Sequence, residues 1–151
     1  MKEKFGEKWD RRFIDLARHI SSWSKDPSTQ TGAVIVDSQR RVVSVGYNGL
    51  PMGVQDLEER LNVREVKYKM IVHCERNALL FANRSLDNCV LYTWPFMSCS
   101  VCAGMVIQSG ISRCVAPLNN NPRWVKDFEL SAEMFEESGV VVDLYPYEEF
   151  Q

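Results

Sequence analysis

The amino-acid sequence predicts a three-layer α/β/α domain organised around a mixed five-stranded sheet. Three observations lead there: an amphipathic helical stripe near the N-terminus, two apolar runs close together after it, and an alternation of helical and strand patterns through the second half. Alternating helices and strands build parallel strands joined by crossovers, whereas two runs a few residues apart pair as an antiparallel hairpin, so the sheet is mixed. With 151 residues, 45% of them hydrophobic, the chain can bury one full core, and residues 1–151 are read as a single domain.

Trp9, Phe13, Leu16, Ala17 and Ile20 recur at helical spacing and predict an amphipathic helix over 8–22. After the turn-forming DPST at 26–29, Gly32–Val36 and Val42–Tyr47 read as strands joined by the short segment DSQRR. The stretch 49–63 carries Pro51, Gly53 and several charges, and is expected to be a surface loop with room for a helical turn. Ala78, Leu79, Phe81 and Ala82 indicate a helix over 73–84, and Val90–Trp94 is a short strand. A second helix over 99–109 stops at Gly110, where a left-handed cap is wanted. A strand over 111–116, a polar loop at 119–122, a helix over 123–138 ended by Gly139 and a strand over 140–145 complete the chain. Right-handed crossovers lay the 73–84 and 99–109 helices side by side on one face, with their N-termini able to meet.

Eighteen basic residues against twenty acidic ones leave a formal charge of −2, so no long-range field draws the protein to polyanions, and nucleic acid is not an expected partner. The pairs Arg11 with Arg12 and Arg40 with Arg41 read as solvated surface. The opening MKEKFGEKWDRRF has no apolar stretch of the kind an export signal needs, and no segment is long enough to span a bilayer. A cytoplasmic protein with no membrane partner is therefore expected. In such a reducing compartment the five cysteines are for metal ligation or burial rather than disulfides.

The informative residues are His73 and Glu75 in VHCERNA, and Cys99 and Cys102 in PFMSCSVCAG, each pair opening one of the two adjacent helices. A CxxC at a helix start aims both sulfurs at one point and favours the thiolate form that binds metal. One imidazole added to two thiolates gives three protein ligands for zinc and leaves a fourth tetrahedral position open, the mark of a catalytic site. Zinc lowers the pKa of its water to about 7. Hydrolysis at such a site also needs a group that relays protons, and Glu75 sits on the same helical turn as His73. A closed structural site would need a fourth ligand, and His19, Cys74, Cys89 and Cys114 lack convincing spacing for it.

At these residues the sequence resembles the deoxycytidylate (dCMP) deaminase family of the cytidine deaminase-like zinc deaminases. The likeness runs over about residues 8–145: DPSTQTGAVIVD and GYNGLPMG are similar to the family's first two strands and following loop, and HCERNA with CSVCA to its zinc centre. Two positions depart from the pattern. Ser98 stands where the family usually has proline, and Cys74 stands where alanine is common. The resemblance implies hydrolysis of dCMP to dUMP and ammonia for thymidylate supply, with deoxycytidine triphosphate (dCTP) as a further candidate substrate. It implies that Asn48 reaches the sugar hydroxyl, against the plainer reading that it serves the turn before Gly49, and that the backbone around Cys74 contacts the pyrimidine carbonyl. Asn77 either helps to fix the site or caps local backbone groups.

A monophosphate calls for a positive group at the mouth, for which Arg123 is the candidate, with Trp124 beside it to stack on the sugar or base. An exposed arginine facing only solvent is the alternative. Resemblance further implies regulation by dCTP or thymidine triphosphate (dTTP) with Mg2+, received in the loop containing Tyr47, Gly49, Pro51 and Gly53, and assembly as a homohexamer. Residues 49–72 lack cysteine and histidine, so one zinc per chain is expected rather than the two of some relatives. The competing functions are a deaminase of adenosine or cytidine in RNA or single-stranded DNA, which would require a basic groove, and a zinc-stabilised nucleotide-binding module without catalysis.

Overall fold

In the computed structural model, which describes residues 5–150, the elements run α1 (Glu7–Ser21), β1 (Gly32–Val36), β2 (Val42–Tyr47), α2 (Glu58–Asn62), α3 (Arg64–Met70) and α4 (Cys74–Ala82), then β3 (Val90–Trp94), α5 (Ser100–Gln108), β4 (Arg113–Leu118), α6 (Val125–Ser138), β5 (Val141–Pro146) and a 3-10 turn (Tyr147–Phe150). The sheet order is β2-β1-β3-β4-β5. β1 pairs antiparallel with β2 and β3, while β3, β4 and β5 are parallel to one another. This is the expected mixed five-stranded sheet between helical layers.

β1 and β3 are buried at every position, which explains their continuous apolar runs. Alternate side chains feed two cores. Val34, Val36, Val90, Tyr92 and Val115 face Phe13, Ile14, Ala17 and Ile20 of α1. Ala33, Ile35, Leu91 and Ala116 face Ala78 of α4, Val106 of α5 and Phe135 of α6. Each large aliphatic side chain withdrawn this way contributes about 1.5–3 kcal/mol. Two glycines let the layers close. A Cβ on Gly32 would lie 2.1 Å from the Ala17 carbonyl oxygen, and one on Gly46 would lie 2.5 Å from the Cys74 carbonyl oxygen.

Charge is also buried. Arg113, 1% exposed, forks onto both oxygens of Asp10 at 3.0 and 2.6 Å and reaches Asp143 at 2.8 Å. Tyr92 and Tyr145 donate to the same Asp10 carboxylate at 2.7 and 2.6 Å. Burial alone would push the Asp10 carboxyl up, but the bonds from Arg113, Tyr145 and Tyr92 hold it below its ordinary value.

The main differences from the sequence expectation are two added elements, one shifted strand and two cap positions. α3 was not anticipated because it buries no residue and so carries no apolar stripe. β4 begins and ends two residues later than expected, taking in Pro117, which follows the last residue paired with β3 and so removes no bond there. The 3-10 turn at 147–150 has no helical period to betray it. His73 and Cys99 are the extended N-cap residues of α4 and α5 rather than their first turns.

Candidate metal centre and cleft

α4 and α5 pack side by side on the sheet with their N-termini together. The two N-cap residues thereby face each other, and Cys102 joins them from the first turn of α5. His73 Nδ1 lies 3.6 Å from Cys99 Sγ and 3.3 Å from Cys102 Sγ. All three ligand atoms fall within 4.8 Å of one another. Zinc held at ordinary Zn–S and Zn–N lengths in a tetrahedron requires sulfur-to-nitrogen separations of roughly 3.5 Å, so this trio fits that metal without rearrangement. The soft donor set also favours zinc over magnesium or calcium.

Among the protein groups themselves only Cys99 leans toward the deprotonated form that ligation needs. Cys102 shares a hydrogen bond with Cys99, which lowers the Cys99 thiol to about 4, with His73 assisting against the opposing effect of burial. The Cys102 thiol is driven up by the same bond and by burial, so the two sulfurs hold one proton between them. His73 is raised, chiefly by its contact with Cys99.

Glu75, 6% exposed, occupies the first turn of α4 and lines the cleft beside His73. The buried Cys74 thiol donates to its Oε1 at 3.2 Å. The loop leading to Cys99 is anchored from α6. Asp127 accepts from the Ser100 backbone N–H at 2.9 Å and from its hydroxyl at 2.7 Å, and the Ser131 hydroxyl donates to the Ser98 carbonyl at 2.8 Å. Ser98's own hydroxyl is buried with no hydrogen-bond partner among the described residues.

These groups open into a cleft of about 530 Å³, within the range of small-molecule sites. Asn48 lines it with its amide engaged: Oδ1 accepts from the Thr31 N–H at 2.9 Å, and Nδ2 donates to the Thr29 carbonyl at 2.9 Å and to Asp26 at 3.3 Å. Arg123 and Trp124 also line it; the guanidinium lies 4.8 Å from the Trp124 ring and donates to the Tyr68 hydroxyl of α3 at 2.8 Å. Lys67, also of α3, contacts Asp26 at 3.2 Å and Ser28 at 2.7 Å. Asn77 points elsewhere, donating to the Tyr47 carbonyl at 2.8 Å. Tyr47, Gly49, Pro51 and Gly53 do not line the cleft. Tyr47 meets Trp23 edge-on, Gly49 bridges to Val72, and Gly53 takes a positive φ of 82°.

The family model for the cytidine and deoxycytidylate deaminase zinc-binding region matches residues 7–117. The chain belongs to this deaminase family. The "Uncharacterized deaminase in luxG 3'region" of Aliivibrio fischeri is 44% identical over 142 residues, covering 92% of this chain and 95% of that protein. The deoxycytidylate deaminase of Homo sapiens is 34% identical over 113 residues, 71% of this chain and 63% of the human protein. A probable deoxycytidylate deaminase of Caenorhabditis elegans is 40% identical over 107 residues, 68% of this chain and 54% of its own length, so the match spans little more than half of that relative. In fold, the deaminase is similar to the dCMP deaminase of cyanophage S-TIM5 solved with dCMP and dUMP, at TM-score 0.75 and 21% identity, covering 94% of this chain and 100% of that one.

Sequence reasoning missed several residues that shape this deaminase's cleft. Lys67, Tyr68, Trp94, Phe96 and Phe128 all line it, and Asp127 and Ser131 fix the Cys99 loop. Asp127 bears a faint signal, an acid in the first turn of a helix, but nothing in the sequence says that it caps a different one. No helix among the described residues is long and apolar enough to cross a membrane.

Proposed function

We propose that this deaminase hydrolyses dCMP to dUMP and ammonia using one zinc ion held by His73, Cys99 and Cys102, with Glu75 as the proton carrier. The observation that carries the reading is the three-donor cluster with a buried carboxylate beside it, opening into a nucleotide-sized cleft. The names borne by the human and nematode relatives, and the ligands of the cyanophage neighbour, support a deoxycytidine monophosphate substrate. When bound, zinc supplies the Lewis acid that makes water nucleophilic near neutral pH. Glu75 would take a proton from the attacking water as its oxygen bonds to C4, and deliver that proton to ring nitrogen N3. The same carboxylate then takes the proton of the new C4 hydroxyl and passes it to the amino group; the C4–N bond breaks with its electron pair going to nitrogen, the C4 carbonyl forms and ammonia leaves.

Arg123 and Trp124 at the mouth serve as the phosphate and sugar contacts in this reading, and the backbone at Cys74 meets the pyrimidine carbonyl. Asn48 acts through the loop it ties together, with its outer edge toward the sugar. Control by dCTP or dTTP with Mg2+ through the Tyr47–Gly53 loop, hexamer assembly and a cytoplasmic role in dUMP supply belong to the same proposal and rest on the family resemblance. Incubation of the purified protein with dCMP, dCTP, cytidine and a tRNA pool tests it. Ammonia and dUMP from dCMP are expected; product from tRNA alone would reassign the substrate to RNA.

A further inference from the structure

Trp94 ends β3 and belongs to the core on the α1 face, yet it also lines the cleft. It is only 7% exposed. Its register partner is Gly32, adjacent to the cleft-lining Thr31. Behind the indole stand three groups distant in sequence. The Tyr147 ring stacks on it with centroids 5.3 Å apart and planes 24° apart, Phe150 meets it edge-on at 6.0 Å, and the Arg18 guanidinium lies 4.9 Å from its ring. Arg18 also donates to the Phe150 carbonyl, so α1, β3 and the 3-10 turn close around a single side chain.

Nothing in the zinc chemistry calls for this arrangement. It fixes an indole in the wall of the cleft. An indole free to change rotamer would have to be ordered each time a ligand bound, whereas one already clamped offers its cleft-lining atoms at no such cost. We propose that Trp94 is a specificity-determining wall of the cleft, and that Tyr147 and Phe150 are positioning residues that set its indole. The inference rests on reading the cleft as the nucleotide site.

The contact acts on binding rather than on the bond that breaks, so its loss shows in KM and not in kcat. The test compares Tyr147→Ala, Tyr147→Phe and wild type on whichever of dCMP, dCTP and cytidine the wild type deaminates, with zinc content, melting temperature and the Kd of the product measured alongside. Tyr147→Ala should raise both KM and the product Kd about fivefold, the equivalent of one side chain's rotamer freedom. Its kcat and zinc content should match wild type. Tyr147→Phe, which keeps the stacked ring, should behave as wild type. Wild-type KM and Kd in Tyr147→Ala, or a fall in melting temperature with KM unchanged, would overturn the inference and leave the cleft reading intact. A wild type inactive on all three compounds would overturn the cleft reading itself.

Discussion

Glu75 lies beside His73, and in the proposed mechanism this carboxylate separates a catalytic zinc site from a structural one. Replacing it with glutamine keeps the shape and removes the proton carrier. Glu75→Gln is therefore expected to retain one zinc per chain and the wild-type melting temperature while kcat falls by about 10²–10⁴, measured by ammonia release beside elemental analysis. Unchanged turnover would remove Glu75 from the mechanism. The clustering of His73, Cys99 and Cys102 was legible in the sequence because their spacing at each helix start is short and their chemistry is specific, and Glu75 lines the cleft beside them. Asn48 was legible only as a candidate. Its amide bonds reach back to Thr31, Thr29 and Asp26, contacts that the loop's folded path creates and that its dipeptide neighbours do not reveal.

The zinc loop depends on elements as much as on ligands. Cys99 caps α5 without a side-chain bond of its own, and the carboxylate of Asp127 from α6 bonds the Ser100 N–H in its place. Loss of a helix N-cap costs about 0.5–2 kcal/mol, and loss of an outer contact that orients ligands costs about tenfold or more in metal affinity. Asp127→Ala is expected to show both effects, read by denaturant unfolding and by zinc competition against a chelator. Stability lost with zinc affinity unchanged would confine Asp127 to the helix. The order of α1, β1, β2, α4, β3, α5, β4, α6 and β5 was visible from apolar periodicity, because most of these elements bury a stripe or a run, β5 being only half-buried. α3 was not visible, since it buries no residue and its Arg64, Lys67 and Tyr68 line the cleft rather than a core.

Across the whole molecule, the two hydrophobic cores hold the sheet between its layers, and the Asp10–Arg113 network pins α1 to β4 through buried charge. The sequence concealed this network. Asp10 and Arg113 are far apart in the chain, and isolated charges read as surface until the fold brings them together. Removing one partner of such a pair costs about 3–5 kcal/mol, so Asp10→Asn should be markedly less stable than wild type at neutral pH. Because the Asp10 carboxyl is held below its ordinary value, its contribution is complete above about pH 4 and is lost as the pH falls through the lower folded-state value. Denaturant unfolding below pH 4 should accordingly show a flatter pH dependence in Asp10→Asn than in wild type; identical slopes would exclude this carboxylate as an acid-sensitive tie.

The most direct measurement of the central claim is zinc-edge X-ray absorption on active, purified protein together with its metal stoichiometry. One zinc per chain is expected, with two sulfur ligands, one imidazole nitrogen and one non-protein oxygen. Four side chains around the metal, or full activity with no metal bound, would contradict the account.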